Sequence, residues 1–561
     1  MNKYLLTTIS LLFCISLSFA QETDDKKDKG EFSGNFQNTN QFYVRDSTIG
    51  ATTTQYQRQL SSSDAWLFLS YKYKGFKFNV RYDVFNNSPL FDPQQAFTQS
   101  GIGMWNISKD IDKFNVTVGY FYDQFGTGMV FRAFEDRNLG LDFAINGARV
   151  IWTPTTNTTI KAFTGLQKFR FDIRPEVIKG INAEHRIEFT ENFNMEPGAS
   201  IVNRTIDPNT MNSITGAINS YKLEDRFVPT YNVFLGNVYT TLNYKKLSWY
   251  VEYCQKSKEA FNNQKTGLME LRDGRVYYTS MSYSTKGLGI NAQYKRIESF
   301  SFRTSPLENL NLGMIAYLPS LTRQNTYRLL ARYNAVVQEL GENALGLEFT
   351  IKPQGEFFKK HQTTININTS IVTGKDAFNL SRINPFDTQQ DTARYFREHY
   401  IDVSHKFNKK FKAMLGFQYI NYNQQLFELK DNSYDYVTAK TYFGEMTYKL
   451  TNTKSVRVEA QYLQTKQDLG SFINATVELN IAPHYSFSVG DMVNVDRVAR
   501  NTQASSTELV HYWNVFSSYT YKTTRLTAGY IKQVEGVNCT GGVCRVEPAF
   551  SGVRVTLQTN F

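Results

Sequence analysis

Past residue 20 the sequence has no apolar run long enough to cross a membrane as a helix, which takes about 18 to 20 residues. That excludes a helical membrane protein. Two readings remain: an exported soluble β-protein, or a closed barrel, because helices and closed barrels are the only backbones that can span lipid with their polar groups paired. Proline is scarce, at 13 of 561 residues, as expected where most of the chain lies in hydrogen-bonded ladders. Histidine is scarcer, with six residues. His399 and His405 fall on one strand face with Ile401, Val403 and Phe407, a spacing that places them at the two membrane interfaces instead of around a metal. No G-x-S-x-G elbow and no H-E-x-x-H motif occurs. These absences argue against an enzyme, and neither a cofactor nor a metal site is expected.

Cysteine is limited to four residues. Cys14 lies in the leader. Cys539 and Cys544 stand close together in VNCTGGVC, a spacing that suits a disulfide across a hairpin loop in an oxidising compartment. A metal pair is the alternative, although no further ligands follow at zinc-like spacing. Cys254 is left over and reads as a free, buried thiol.

What is present first is an export signal. Lys3 supplies a positive start, Leu5 to Phe19 an apolar stretch, and Ser18 and Ala20 the small residues of a cleavage site. Residues 1–20 therefore read as a signal peptide, with Gln21 as the first mature residue. A lipoprotein signal on Cys14 is the rival, and Phe13 occupies the place where such signals want a small residue. Residues 21–30 form a charged, flexible leader, and 31–561 read as one barrel. Strands begin near Phe32, which leaves no room for the N-terminal plug of an energy-coupled transporter or for periplasmic assembly domains. The net charge of +11 is spread over lumen, turns and loops, or attracts anionic headgroups or solutes. Export argues against nucleic acid as a partner.

Aromatic residues reach 15%, with 35 Tyr and 43 Phe, natural for girdles at two membrane interfaces. The strands alternate with period two. Phe411, Ala413, Leu415, Phe417 and Tyr419 share one face, and Lys412, Met414, Gly416 and Gln418 the other. Leu247, Trp249, Val251 and Tyr253 alternate with Ser248, Tyr250, Glu252 and Cys254. Val456, Val458, Ala460 and Tyr462 do so with Ser455, Arg457, Glu459 and Gln461. A β-sandwich would alternate similarly, but the connections are unequal. Short turns are expected at Lys74-Gly75, 108–113, 153–157, Lys245-Lys246, 284–287, 353–358, 408–410, 450–454, 482–484 and 522–524. Long polar loops are expected at 45–61, 299–310, 373–397 and 493–506. Short periplasmic turns with long extracellular loops mark an outer-membrane barrel, and the turns imply roughly 22 strands. Regions 180–205 and 311–337 could each hold another hairpin, so the expectation is an all-β transmembrane antiparallel barrel of about 24 strands, with 22 to 26 allowed.

The last strand places Val553, Val555, Leu557 and Phe561 on one face and Arg554, Thr556, Gln558 and Asn560 on the other. Val555, Leu557 and the terminal Phe561 form a candidate signal for the barrel-insertion machinery, the expected partner during biogenesis, with outer-membrane lipid as the lasting one.

The least repetitive segment is VGYFYDQFGTGMVFRAFEDRNLGLDFAINGARVIW, 118–152. Between two strands it mixes glycines, charges of both signs and large apolar groups (Met129, Val130, Phe131, Phe134 and Leu139). A solvated loop needs few such apolar groups, whereas a loop folded into the lumen needs them to pack on the wall. Asp123, Arg132, Glu135, Asp136, Arg137, Asp142 and Arg149 are the candidate constriction. Arg132 and Arg137 facing Glu135, Asp136 and Asp142 would set up a transverse field that selects solutes. A salt-bridge cluster bracing an extracellular loop, or a ligand or metal site, are the alternatives.

The FYDQFGTG…FRAFEDRNLGLD…NGARV block and the closing CTGGVCRVEPAFSG resemble a family of Bacteroidota outer-membrane barrels of unknown function, over nearly the whole mature chain. The first block is also similar in layout to alginate-export-type porins. These resemblances imply a channel-like barrel in the cell outer membrane and no particular reaction. The expected function is a porin-like channel for polar solutes with residues 123–142 as constriction. The alternative is a structural or accessory subunit of a larger outer-membrane assembly serving secretion, nutrient uptake or barrel insertion.

Overall fold

The computed structural model describes residues 30–263, 268–309, 311–375, 394–428, 430, 434, 436–496, 509–540 and 543–561. The expected signal peptide and nearly all of the leader lie outside these residues, as do large parts of the loops expected at 373–397 and 493–506.

Period-two alternation makes each strand two-faced, and the structure rolls these strands into one sheet that closes on itself. The first strand, Glu31–Tyr43, pairs antiparallel with Ser61–Tyr73 on one side and with the last strand, Phe550–Asn560, on the other. Of 26 hydrogen-bonded segments in the sheet, two short ones (Ile187–Thr190 and Val510–His511) continue neighbouring strands past a break. The wall is therefore a 24-stranded antiparallel barrel, and closure leaves no open edge in lipid.

The apolar face points out. Leu415 is 71% exposed on the outer surface, while Gln418, three residues on, is 1% exposed inside. Trp105, Trp152, Trp249, Val238 and Val489 also face outward. At the turn end, rings stack in pairs, such as Phe114 on Trp152 at 5.9 Å. Lysines reach over this girdle: Lys109 Nζ lies 3.7 Å from the Phe76 ring centre, and Lys74, Lys245 and Lys522 cover Tyr73, Tyr244 and Tyr521. An apolar band with amphipathic aromatics and lysines at its rim is the surface that spans a bilayer.

The turns and loops segregate to opposite ends as expected. Lys74 and Gly75 both have positive φ (48° and 77°), the mirror-image turn that matches strand twist. The turns expected at 108–113 and 153–157 shrink, because the strands Phe97–Ile111 and Ile145–Thr155 run further. The connection expected at 353–358 instead lengthens around the helical turn Glu356–Lys360. Region 180–205 does hold a hairpin, with Phe193–Thr205 returning beside Asp172–His185. Region 311–337 does not. Strand Leu288–Glu298 pairs directly with Gly341–Ile351, with Glu298 opposite Gly341, and the residues between them fold into the barrel. The extracellular loop expected at 299–310 is corrected with it: Phe300 and Phe302 are buried, because these residues find an apolar surface inside the lumen.

Phe561 completes the seam. Its N–H donates to Gly34 O at 3.0 Å, and Gly34 N–H returns a bond to Phe561 O at 2.7 Å. A Cβ at Gly34 would collide with the Phe561 ring. Gly34→Val is therefore expected to destabilise the seam by about 1–3 kcal/mol, seen as a smaller heat-modifiable fraction on gels. An unchanged fraction would show that the ring is free to move aside.

Candidate functional site

Among the described residues, two connections from the loop end enter the lumen. The first follows strand Phe114–Phe121 and returns to the wall at Ile145. It folds as two small hairpins: Asp123–Phe125 with Phe131–Ala133, and Glu135–Asp136 with Leu141–Asp142. Gly126 and Gly128 make the first bend with φ of 53° and 97°, a conformation that is costly with a side chain. The bend lies against the wall, where Thr127 Oγ1 donates to Glu252 at 2.6 Å. Phe125, Met129, Val130 and Phe131 are buried against inward residues of the wall: Phe163, Ile178, Val202, Leu235, Val276 and Ile297. Those wall positions are apolar on the lumen side because the segment covers them.

The second connection comprises residues 299–340. Its first part lies on the first segment: Arg132 N–H donates to Ile315 O at 2.9 Å and Tyr317 N–H to Gly128 O at 3.0 Å. From there it crosses toward the opposite wall. Lys256 donates to Ser301 O at 2.6 Å and Gln167 to Met314 O at 2.7 Å. Further on, Asn325 donates to Glu398 at 3.2 Å, Tyr327 to Glu445 at 2.9 Å, and Leu329 N–H to Gln461 at 2.8 Å. Arg332 pairs with Asp468 at 2.8 Å. Leu321, Leu329, Tyr333 and Ala335 are buried in an apolar cluster with the wall residues Phe396, Tyr422 and Phe472.

The charged residues picked out in the first segment do gather inside, but with partners other than those expected. Arg81, on the inner face of strand Phe76–Ser88, is the hub. It meets Asp83 at 2.8 Å, Glu135 at 2.7 Å and Asp142 at 2.7 Å. Lys168 joins Asp142 at 2.5 Å, and Tyr122 Oη donates to Asp142 at 2.8 Å. Arg137 does face Glu135, at 3.0 Å. Arg132 faces no carboxylate among the described residues and lies 4.1 Å from the Tyr317 ring centre and 4.7 Å from that of Phe134. Asp136 accepts from the N–H of Asn138 and Leu139 at 3.0 and 3.2 Å, which shapes the turn. Asp123 is held by Arg149 at 3.1 Å and Lys161 at 2.9 Å, both on the wall. Sequence reasoning thus found the segment's half of this network and, of the wall's half, only Arg149. Arg81 and Asp83, two apart on one inward face, were the available signal.

Burial pushes the Asp142 carboxyl up, but Lys168 and Arg81 pull it further down, to about 2. Asp468 behaves alike: burial raises it, and Arg332 and Lys430 bring it to about 2. Both values lie below the ordinary 3.8, so the ionised forms favour the folded lumen. That stabilisation is complete above about pH 4 and is lost as the pH falls through about 2. In the wild type, denaturant unfolding followed by tryptophan fluorescence should weaken between these values, and Asp142→Asn should flatten that limb. Arg81→Met leaves buried carboxylates under-compensated and should cost about 3–5 kcal/mol at neutral pH. A loss below 1 kcal/mol would place the network in solvent.

Solved structures similar to this chain include the siderophore receptor PirA from Pseudomonas aeruginosa, with a TM-score of 0.40 at 9% identity, covering 96% of this chain and 81% of that one. The P pilus usher (PapC) translocation pore has a TM-score of 0.38 at 9% identity, covering 94% and 99%. A BenF-like porin from Pseudomonas fluorescens Pf-5 has 0.36 at 8% identity, covering 81% and 98%. No curated protein sequence matches this chain. A family model, by contrast, matches residues 1–561 from end to end, and the chain belongs to that family, a family of unknown function (DUF6029).

Proposed function

We propose that this chain is an outer-membrane channel for small polar solutes, narrowed by two of its own inward-folded segments. Residues 123–142, with Asp123, Arg132, Glu135, Asp136, Arg137, Asp142 and the wall residue Arg149, form one side of the constriction, and residues 299–340 form the other. The observation that carries this reading is the pairing of Glu298 with Gly341. The wall is complete without the second segment, so the segment fills the lumen without holding the barrel together. A barrel of this strand number is wide enough to need such filling. The apolar outer band and the expected export signal support the outer membrane as its place.

Planar-bilayer recording tests this. The full chain should give small steps, and a variant in which a short Gly-Ser linker replaces 300–339 should give steps several-fold larger. Heat-modifiable protein that conducts in neither form would overturn the channel reading. It would favour an accessory subunit of a larger outer-membrane assembly, a reading supported by Leu223 and Val228, which are 83% and 85% exposed in a loop-end connection.

The two cysteines of the terminal loop belong to the same end of the barrel. The hairpin Gly536–Thr540 and Val543–Glu547 places Cys539 directly opposite Cys544, a register that supports a disulfide between them. Its Arg545 donates to Leu139 O of the first inward segment at 3.1 Å. Non-reducing mass spectrometry of a tryptic digest should find the two cysteines linked, and recovery of both as free thiols would refute the bridge.

A further inference from the structure

The lumen holds open space where the apex of the second inward segment faces the last wall strands. A cavity of about 450 Å³ is lined by Thr326, Arg328, Arg332, Asn514, Phe516 and Gln533, among others. A second, of about 220 Å³, is lined by Ser320, Arg323, Asn325 and Asn334 among others. Both touch Thr326, Ala331 and Val537, so they form one cleft. Its size is that of a site for a small organic molecule.

Most other cations described in the lumen are matched, Arg132 over its two rings being an exception. Arg81 has its carboxylates, Arg204 and Lys256 share Glu259, Lys295 meets Glu342, and Arg457 meets Glu445 and Glu459. In the cleft charge is not matched. Residues 322–332, TRQNTYRLLAR, bring three arginines to it. Arg332 is neutralised by Asp468. Arg328 donates to two backbone carbonyls, Tyr512 O at 3.2 Å and Lys532 O at 3.0 Å, and has no carboxylate within ion-pair distance among the described residues. Arg323 lies 3.8 Å from the Tyr400 ring centre, and its Nε is buried without a hydrogen-bond partner. The acidic group facing Arg323 is Glu398, which accepts from Gln418 and Asn325. Of the acidic residues lining the cleft, Glu547 is held by Arg545 at 2.5 Å, and Glu535 is the other.

We propose that this cleft binds an oxyanionic solute, one bearing a carboxylate or phosphate group, with Arg328 as the principal contact and Arg323 as the second. Asp491 and Glu398 act on Arg328 and Arg323 without forming ion pairs, and a partly buried guanidinium with no paired carboxylate costs free energy that an incoming oxyanion recovers, for which the planar fork of arginine is suited. This deepens the channel reading by naming the class of solute, and rests on it for how the solute arrives.

Isothermal titration of the full chain in detergent with citrate, inorganic phosphate and maltose tests the proposal. Citrate or phosphate should bind and maltose should not, and comparison of the two oxyanion arms identifies which group is preferred. Arg328→Gln should weaken binding at least about tenfold, with Arg328→Lys in between. If Arg328→Gln yields no heat-modifiable barrel, Arg323→Gln must show the loss. Absence of oxyanion binding at millimolar concentration, equal binding of maltose, or unchanged affinity in the variants would overturn the site. Oxyanion binding by protein that does not conduct would sustain the site and defeat the channel reading.

Discussion

A backbone in lipid has no water to satisfy it, and that constraint governs the structure. The sheet must close, so the first strand must find the last, and the reciprocal hydrogen bonds between Gly34 and Phe561 finish the seam. Closure through 24 strands then fixes the width. Width creates the second problem, a lumen too large for inward side chains of the wall to fill.

The chain solves this with its own connections. Residues 122–144 and 299–340 turn inward instead of outward, and each brings apolar groups that a solvated loop would not carry. Phe125 and Phe131 complete one cluster with the wall, and Leu329 and Tyr333 complete another. The two segments also pair with each other through backbone bonds at Arg132–Ile315 and Gly128–Tyr317, so the filling behaves as a small domain lodged inside a cylinder.

Electrostatics ties this inner body to the wall. Burying a charge is expensive unless it is paired, and nearly every buried cation in the lumen has a carboxylate from a different part of the chain. Arg81 of the wall binds Glu135 and Asp142 of the first segment, and Arg332 of the second binds Asp468. Such pairs hold position more than they add net stability. The cleft around Arg328 departs from this matching, which is why it stands out as a place for a solute's charge.

How much of this was legible in the residues alone follows from the range of each interaction. Period-two alternation is local, so the strands, their outward faces and the final run to Phe561 could be read directly. The hairpin at Asn192 was readable as an option. The inward course of residues 123–142 could also be read, because Phe131 and Leu139 are out of place in a solvated loop. The partners of its charges could not: Arg81 stands some fifty residues before Glu135, and only the curvature of the wall brings them together. Residues 299–310, expected as an external loop, and 311–337, expected as a possible hairpin, were misread for the same reason: what draws them inside is apolar wall surface contributed by strands up to about two hundred residues away. Local chemistry determined that this chain makes a barrel and where it begins and ends in lipid. What occupies the barrel was decided by tertiary structure, because a lumen exists only after the sheet has closed.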